Sequence, residues 1–249
     1  MIEQIDVTKV LFLDIETVSG QPTYGDLDGT FQALWAHKAP GVLKRYGEEL
    51  TEEELAISYQ DRAAIYAEFG KIVCISVGAV YRDKDKRLKI RLKSFADRDE
   101  KVLLQNFNAM LDQYYGDPRR QFICGHNIKE FDVPYICRRI VANQLPLPTM
   151  LQLYGKKPWE LTHLLDTMTM WKFGDYKSYT SLKLLAAVLG FPTPKDDIDG
   201  SQVGRVFWEE DDLERIATYC EKDVLATAQL FFRYQRKPLL EEDQVQVAG

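Results

Sequence analysis

The stretch Val10-Leu11-Phe12-Leu13-Asp14-Ile15-Glu16-Thr17-Val18 is an apolar run carrying two carboxylates two residues apart. In a β-strand successive side chains alternate faces, so Phe12, Asp14, Glu16 and Val18 share one side while Leu11, Leu13 and Ile15 take the other. Two acids therefore leave a buried strand in the same direction. A buried carboxylate must be protonated, hydrogen-bonded or bound to a cation, because stripping an isolated charge of water is costly. Taken alone, such an Asp-x-Glu reads as an edge strand with two solvated acids. It reads as a divalent-metal site only when further acids join it.

With 249 residues and 45% apolar side chains, the chain has ample material for one α/β domain carrying an insertion. The formal net charge of -6 argues against a strongly basic nucleic-acid coat, while leaving room for an enzyme whose acids cluster around metal ions. Cys74, Cys124, Cys137 and Cys220 form no Cys-x-x-Cys pair, so they read as buried free thiols rather than a zinc site or a disulfide framework. The N-terminus lacks a basic region followed by an apolar stretch, and no segment approaches the about 20 apolar residues of a membrane helix. These features predict a soluble, cytoplasmic protein without a membrane partner.

After the opening strand, residues 19–70 begin with turn-formers and then become helical, with helices predicted over about 30–47 and 52–67. Thr51-Glu52-Glu53-Glu54 matches a capping box. This insertion sits at the first strand's carboxyl end, where α/β sheets place ligands. Residues 71–82 and 88–96, joined by Asp83-Lys84-Asp85-Lys86, predict a hairpin whose Lys89, Arg91 and Lys93 form a solvated face. A helix through Val102, Leu103, Phe107 and Leu111 leads to a strand at about 121–126. Pro134 is tolerated only in a first helical turn, which puts Asp132 at or beside a helix N-cap. Ser181–Leu189 is a helix closed by Gly190, a last helix covers about 211–234, and residues 241–249 are expected to fray as a flexible tail.

In that last helix Ile216, Tyr219, Cys220, Asp223, Thr227 and Leu230 follow helical spacing and face inward. Asp223 interrupts the stripe, one turn from the phenol of Tyr219. On its own this reads as a salt-bridged Asp beside a buried Tyr. An acid awkwardly placed on an inward face, however, occurs in three separate segments.

Asp14-Ile15-Glu16-Thr17, Asn127 through Phe131-Asp132, and Tyr219-x-x-x-Asp223 resemble the three exonuclease motifs of the DEDD superfamily. The histidine branch would place His where this chain has Thr218, so Tyr219 assigns the resemblance to the tyrosine (DEDDy) branch. The second motif, Gly125-His126-Asn127-Ile128-Lys129-Glu130-Phe131-Asp132-Val133-Pro134, is similar to the proofreading exonuclease domain of family B DNA polymerases. Ser181-Leu182-Lys183-Leu184 with Leu189-Gly190 resembles that family's segment between motifs two and three, and the likeness runs from about residue 9 to 234. Nothing follows residue 249, which points to a stand-alone exonuclease rather than part of a polymerase.

The resemblance implies a ribonuclease H-like α/β fold: a mixed five- or six-stranded sheet, its first three strands antiparallel neighbours, flanked by helices, with the helical insertion after strand 1. It implies one exonuclease domain over residues 1–240. Asp14, Glu16 and Asp223 would hold the metal that activates water, Asp14 would also touch a second metal, and Asp132 would act through bound water. Tyr219 would orient the nucleophile, since a phenol of pKa about 10 is a poor base at neutral pH. Thr17, Asn127 and Phe131 are candidate substrate contacts. Phe69 and Phe131 read as core aromatics, with stacking on a terminal base as the alternative. His126 reads as structural, and Lys156 and Lys157 as a solvated loop.

The residue types make chemical sense independently of the family. Four carboxylates would be neutralised by two Mg²⁺ or Mn²⁺ ions, admitting an anionic phosphodiester, and ions about 3.5–4 Å apart stabilise both attacking and leaving oxygens. The expectation is metal-dependent 3′–5′ hydrolysis of nucleic acid from a single-stranded 3′ end, with DNA as substrate and nucleoside 5′-monophosphates as products. The alternatives are an exoribonuclease using the same site, a non-catalytic nucleic-acid-binding module and a structural metal protein.

Overall fold

The computed structural model describes residues 2–248 apart from 176–178 and 193–197. β1 (Val10–Ser19) is followed by α1 (Gly29–Val42) and α2 (Glu52–Arg62), then by the hairpin of β2 (Gly70–Arg82) and β3 (Leu88–Ala96). Next come α3 (Glu100–Tyr114), β4 (Phe122–Gly125), α4 (Asp132–Ala142), β5 (Leu164–Asp166) and α5 (Thr167–Lys172). The chain continues through α6 (Leu182–Leu189), α7 (Val203–Trp208), α8 (Leu213–Tyr234) and β6 (Val245–Val247).

The described strands form one six-stranded sheet in the order β5-β4-β1-β2-β3-β6. β1, β2 and β3 are antiparallel neighbours, β4 and β5 extend the sheet in parallel beyond β1, and β6 pairs in parallel with β3. This is the ribonuclease H-like α/β arrangement expected from the sequence.

The alternation of β1 holds. Leu11, Leu13 and Ile15 pack with α3 and α4 residues such as Leu103, Phe107 and Ile136. Phe12 packs on the opposite face against Val224 and Phe231, and Val18 against Ile216 and Cys220. That opposite face belongs to α8, which lies across β1, β2 and β3. The first face is tied together by buried Glu100, whose carboxylate accepts from the Ile72 backbone N–H at 2.7 Å, from Arg139 Nη2 at 2.6 Å and from Asn143 Nδ2 at 2.9 Å.

Thr51 opens α2 with the capping box read from the sequence: its Oγ1 accepts from Glu54 N at 3.2 Å and Glu54 Oε2 accepts from Thr51 N at 2.9 Å. α1 stops at Val42, short of the expected residue 47, because Lys44 turns left-handed (φ 59°) and Arg45 N bonds back to Pro40 O. The insertion has its own small core, in which the Trp35 ring meets Tyr59 and Phe69 edge-on at 5.4 and 5.0 Å. Phe69 is therefore a core aromatic.

The expectation of a frayed tail over 241–249 is corrected. Gln244 Nε2 donates to Leu88 O, Leu240 N to Gln229 Oε1, and Val245–Val247 add a strand to the open edge of β3; Gly249 lies outside the described residues. An unpaired edge is a template for any nearby extended segment, and this chain supplies its own.

Gly125 ends β4 beside β1. A Cβ there would meet Ile128 at 2.7 Å and the Leu13 carbonyl oxygen at 2.9 Å. Gly125→Ala should lower stability by roughly 1–3 kcal/mol, read as a fall in the urea midpoint at unchanged m-value.

Candidate active site

β1 pairs with β4 only through Val10–Phe12 and then runs on beyond it. Opposite Glu16 and Thr17 the register with β2 shifts, leaving Val73 as the extra residue of a bulge. Bulges re-aim side chains next to functional sites. Past the last β4 pair, the edge of β1 meets the N-terminus of α4, where the Asp132 carboxylate accepts from its own N–H and from that of Ile15. Asp132 is the first residue of α4 and Phe131 occupies the cap position, so Asp132 turns toward β1 instead of capping its helix.

The structure brings together all four acids named from the sequence. Burial holds the Asp14 carboxyl well above the usual range, and Asp132, Glu16 and Asp223 push it further. Glu16, 8% exposed, is raised by burial, then by Asp223, Cys74 and Asp132. Asp132, 4% exposed, is pushed up to about 7, mainly by burial, against the lowering effect of its two backbone hydrogen bonds. Like charges held out of water raise one another's pKa in this way. A cation is what such a cluster lacks.

Tyr219 lies one turn before Asp223 on α8 and its hydroxyl is hydrogen-bonded to that carboxylate. Burial, with Asp223, Glu16 and Asp14, pushes the phenol above its ordinary value. It is a hydrogen-bond donor at neutral pH.

Two contributors escaped the sequence reading. Cys220 directs its thiol at Asp14, 3.6 Å from Oδ2 and 3.5 Å from the backbone oxygen, and burial keeps that thiol protonated. Ligand atoms of Asp14, Glu16 and Cys220 lie within 4.8 Å of one another, close enough to share a cation, with the two carboxylates supplying the charge and the protonated thiol a hydrogen bond. The signal was Cys220 on the same inward stripe as Asp223.

Asp166, 2% exposed, accepts from the backbone N–H groups of Asn127, Lys129, Met168 and Thr169 at 3.0–3.2 Å. It caps α5 and at the same time shapes the loop that delivers Asp132. Its signal was an acid at the end of a short apolar strand, which is also how any helix cap looks.

The remaining candidates differ in how they sit. Asn127 adopts a left-handed backbone (φ 64°), and its Oδ1 is buried without a hydrogen-bond partner among the described residues. Phe131 is half-buried against the core with its ring 5.5 Å from Tyr135. Thr17 is half-buried and its side chain is hydrogen-bonded to Tyr135. His126 is structural as expected: Nε2 donates to Thr180 O at 2.8 Å, which leaves Nδ1 to accept from Thr167 Oγ1 at 2.9 Å in the neutral ring. Lys157 lies over the exposed Trp159 ring.

A family described as a predicted 3′–5′ exonuclease related to the exonuclease domain of PolB matches residues 65–246. No curated protein matches the chain. Among solved structures, the family B DNA polymerase of the hyperthermophilic archaeon Pyrobaculum calidifontis is similar with a TM-score of 0.49 and 15% identity, over 88% of this chain and 24% of that one. The chain thus spans about a quarter of the polymerase's length. No helix among the described residues is long and apolar enough to cross a membrane.

A carboxyl whose folded pKa is raised stabilises the fold below its unfolded value, here 3.8, and that contribution is lost as pH rises through the folded value of about 7. The metal-free protein should therefore lose on the order of 5 °C in melting temperature across this window. Thermal melts in EDTA should show the fall, and Asp132→Asn should reduce it by the share that Asp132 contributes.

Proposed function

This chain belongs to the family of predicted 3′–5′ exonucleases related to the exonuclease domain of PolB, and on that premise we propose that it is a metal-dependent 3′–5′ exonuclease acting on single-stranded nucleic acid, DNA in preference to RNA. The observation that carries the proposal is the convergence of four mutually repelling carboxylates, Glu16 and Asp132 buried and Asp14 and Asp223 half-buried, beside the central part of β1. Residues 1–240 act as one exonuclease domain, and the enzyme is cytoplasmic. A binding module without catalysis would gain nothing from a cluster that repels phosphate.

Two divalent cations, Mg²⁺ or Mn²⁺, supply water activation and charge neutralisation for an in-line displacement at phosphorus. Asp14, Glu16 and Asp223 would hold the first, Asp14 would also reach the second, and Asp132 would act through bound water. The elevated pKa values fit this role, because a cation restores the ionised form that burial disfavours. Water adds to phosphorus as the bond to the 3′-oxygen breaks. The shortened strand keeps a 3′-hydroxyl and the terminal nucleotide leaves as a 5′-monophosphate.

Tyr219 keeps its proton and positions the attacking water by a hydrogen bond; its raised pKa makes it a still poorer base than a free phenol. Cys220 donates to Asp14 and holds that carboxylate's orientation. Asp166 is a positioning residue for the loop that carries Asp132. Asn127, with its unpartnered Oδ1, together with Thr17 and Phe131, contacts the terminal nucleotide.

The test uses 5′-labelled single-stranded DNA and RNA with Mg²⁺, Mn²⁺ or EDTA. A ladder shortening from the 3′ end, faster on DNA and abolished by EDTA, Asp14→Ala or Asp223→Ala, supports the reading. No metal-dependent product on either polymer would sink it. Tyr219→Phe should lower kcat about tenfold or more while leaving KM nearly unchanged, as loss of a hydrogen bond made in the transition state requires.

A further inference from the structure

A cleft of about 550 Å³ opens beside Thr17, the residue after Glu16. One wall comes from the end of α2 and the turn after it, with Gln60, Arg62 and Ile65; the other comes from α7, with Gly204, Arg205 and Trp208. The α2 residues precede the part of the chain that the family model matches. The cleft lies between this α2 wall, the end of β1 at Thr17 and Ser19, and α7.

Its chemistry is that of a nucleotide strand. Arg62 is exposed and has no ion-pair partner among the described residues, so its guanidinium is free for a phosphate. Arg205, across the cleft, is paired with Glu210 at 2.5 Å. Trp208 is fixed by its indole N–H donating to Ser19 Oγ at 3.2 Å and by Lys71 Nζ 4.5 Å from the ring centroid. A half-buried indole held in place is a stacking surface for a base.

Asp61 and Glu209 also line the cleft and offset the arginines. A near-neutral groove with one unpaired arginine holds a strand lightly, which suits an enzyme that must let it advance after each cut. Gly204 contributes room: a Cβ there would meet nothing within 4 Å.

We propose that this cleft between the 19–70 insertion and α7 binds the single strand next to its scissile phosphate, with Arg62 on the backbone and Trp208 against a base. The proposal rests on the exonuclease reading above and gives the insertion a function: it sets affinity for the polymer while leaving the chemistry to the acids.

The experiment compares wild type, Arg62→Ala and Gly204→Phe on a short single-stranded oligonucleotide and on bis(p-nitrophenyl) phosphate, a diester with no nucleotide to fill the cleft, in Mn²⁺. Arg62→Ala should raise the oligonucleotide KM about tenfold with kcat retained, and should reduce the salt slope of binding by about 0.7. Gly204→Phe, which fills the cleft from a helix position open to any side chain, should raise KM as well, and neither variant should change hydrolysis of the small diester. Oligonucleotide KM values equal to wild type in both variants would overturn the role of the cleft and leave the exonuclease reading standing. A wild type that degrades no oligonucleotide would overturn both.

Discussion

Four carboxylates that repel one another, two of them buried and two half-buried, are the constraint around which the structure is arranged. Asp14 and Glu16 project from the central part of β1, Asp223 from α8 on one face of the sheet, and Asp132 from the helix that begins at the open edge of the same strand. No single element can present four acids to one point, because a strand offers alternate residues and a helix one per turn. Three elements have to meet there. The early end of the β1–β4 ladder and the bulge opposite Glu16 let them do so.

Holding like charges together costs stability, so the surrounding scaffold must be strongly determined. The sheet is packed on both faces, with α3 and α4 below and α8 above. Buried Glu100 joins β2, α3 and α4 through charge-assisted hydrogen bonds. Asp166 does the corresponding work beside the site by taking four backbone N–H groups. Tyr135 Oη donates to Ala64 O and so ties α4 to the insertion. With these ties in place, burial, and after it repulsion among the acids, raises their pKa values instead of pulling the site apart.

Much of this was legible in the sequence because strand and helix periodicities are local. The alternation in Val10–Val18 assigned Asp14 and Glu16 to the α8 face, the Thr51 capping box marked the start of α2, and Tyr219 to Asp223 spacing placed both on one helical face. The elements that escaped depend on contacts distant in the chain. Val245–Val247 became a strand only because β3 offered an edge. Asp166 and Cys220 owe their roles to partners 37–39 and 206 residues away. The cleft beside Thr17 joins α2 to α7, whose residues lie far apart in the chain, so no local pattern reports it.

If repulsion among these acids is what a cation relieves, neutralising one of them should have opposite effects with and without metal. Thermal melting of wild type and Asp14→Asn at mildly alkaline pH, in EDTA and in Mg²⁺, measures this directly. The variant should melt above wild type in EDTA, and Mg²⁺ should stabilise wild type but not the variant. A variant that melts below wild type in EDTA, with Mg²⁺ raising both equally, would contradict the account.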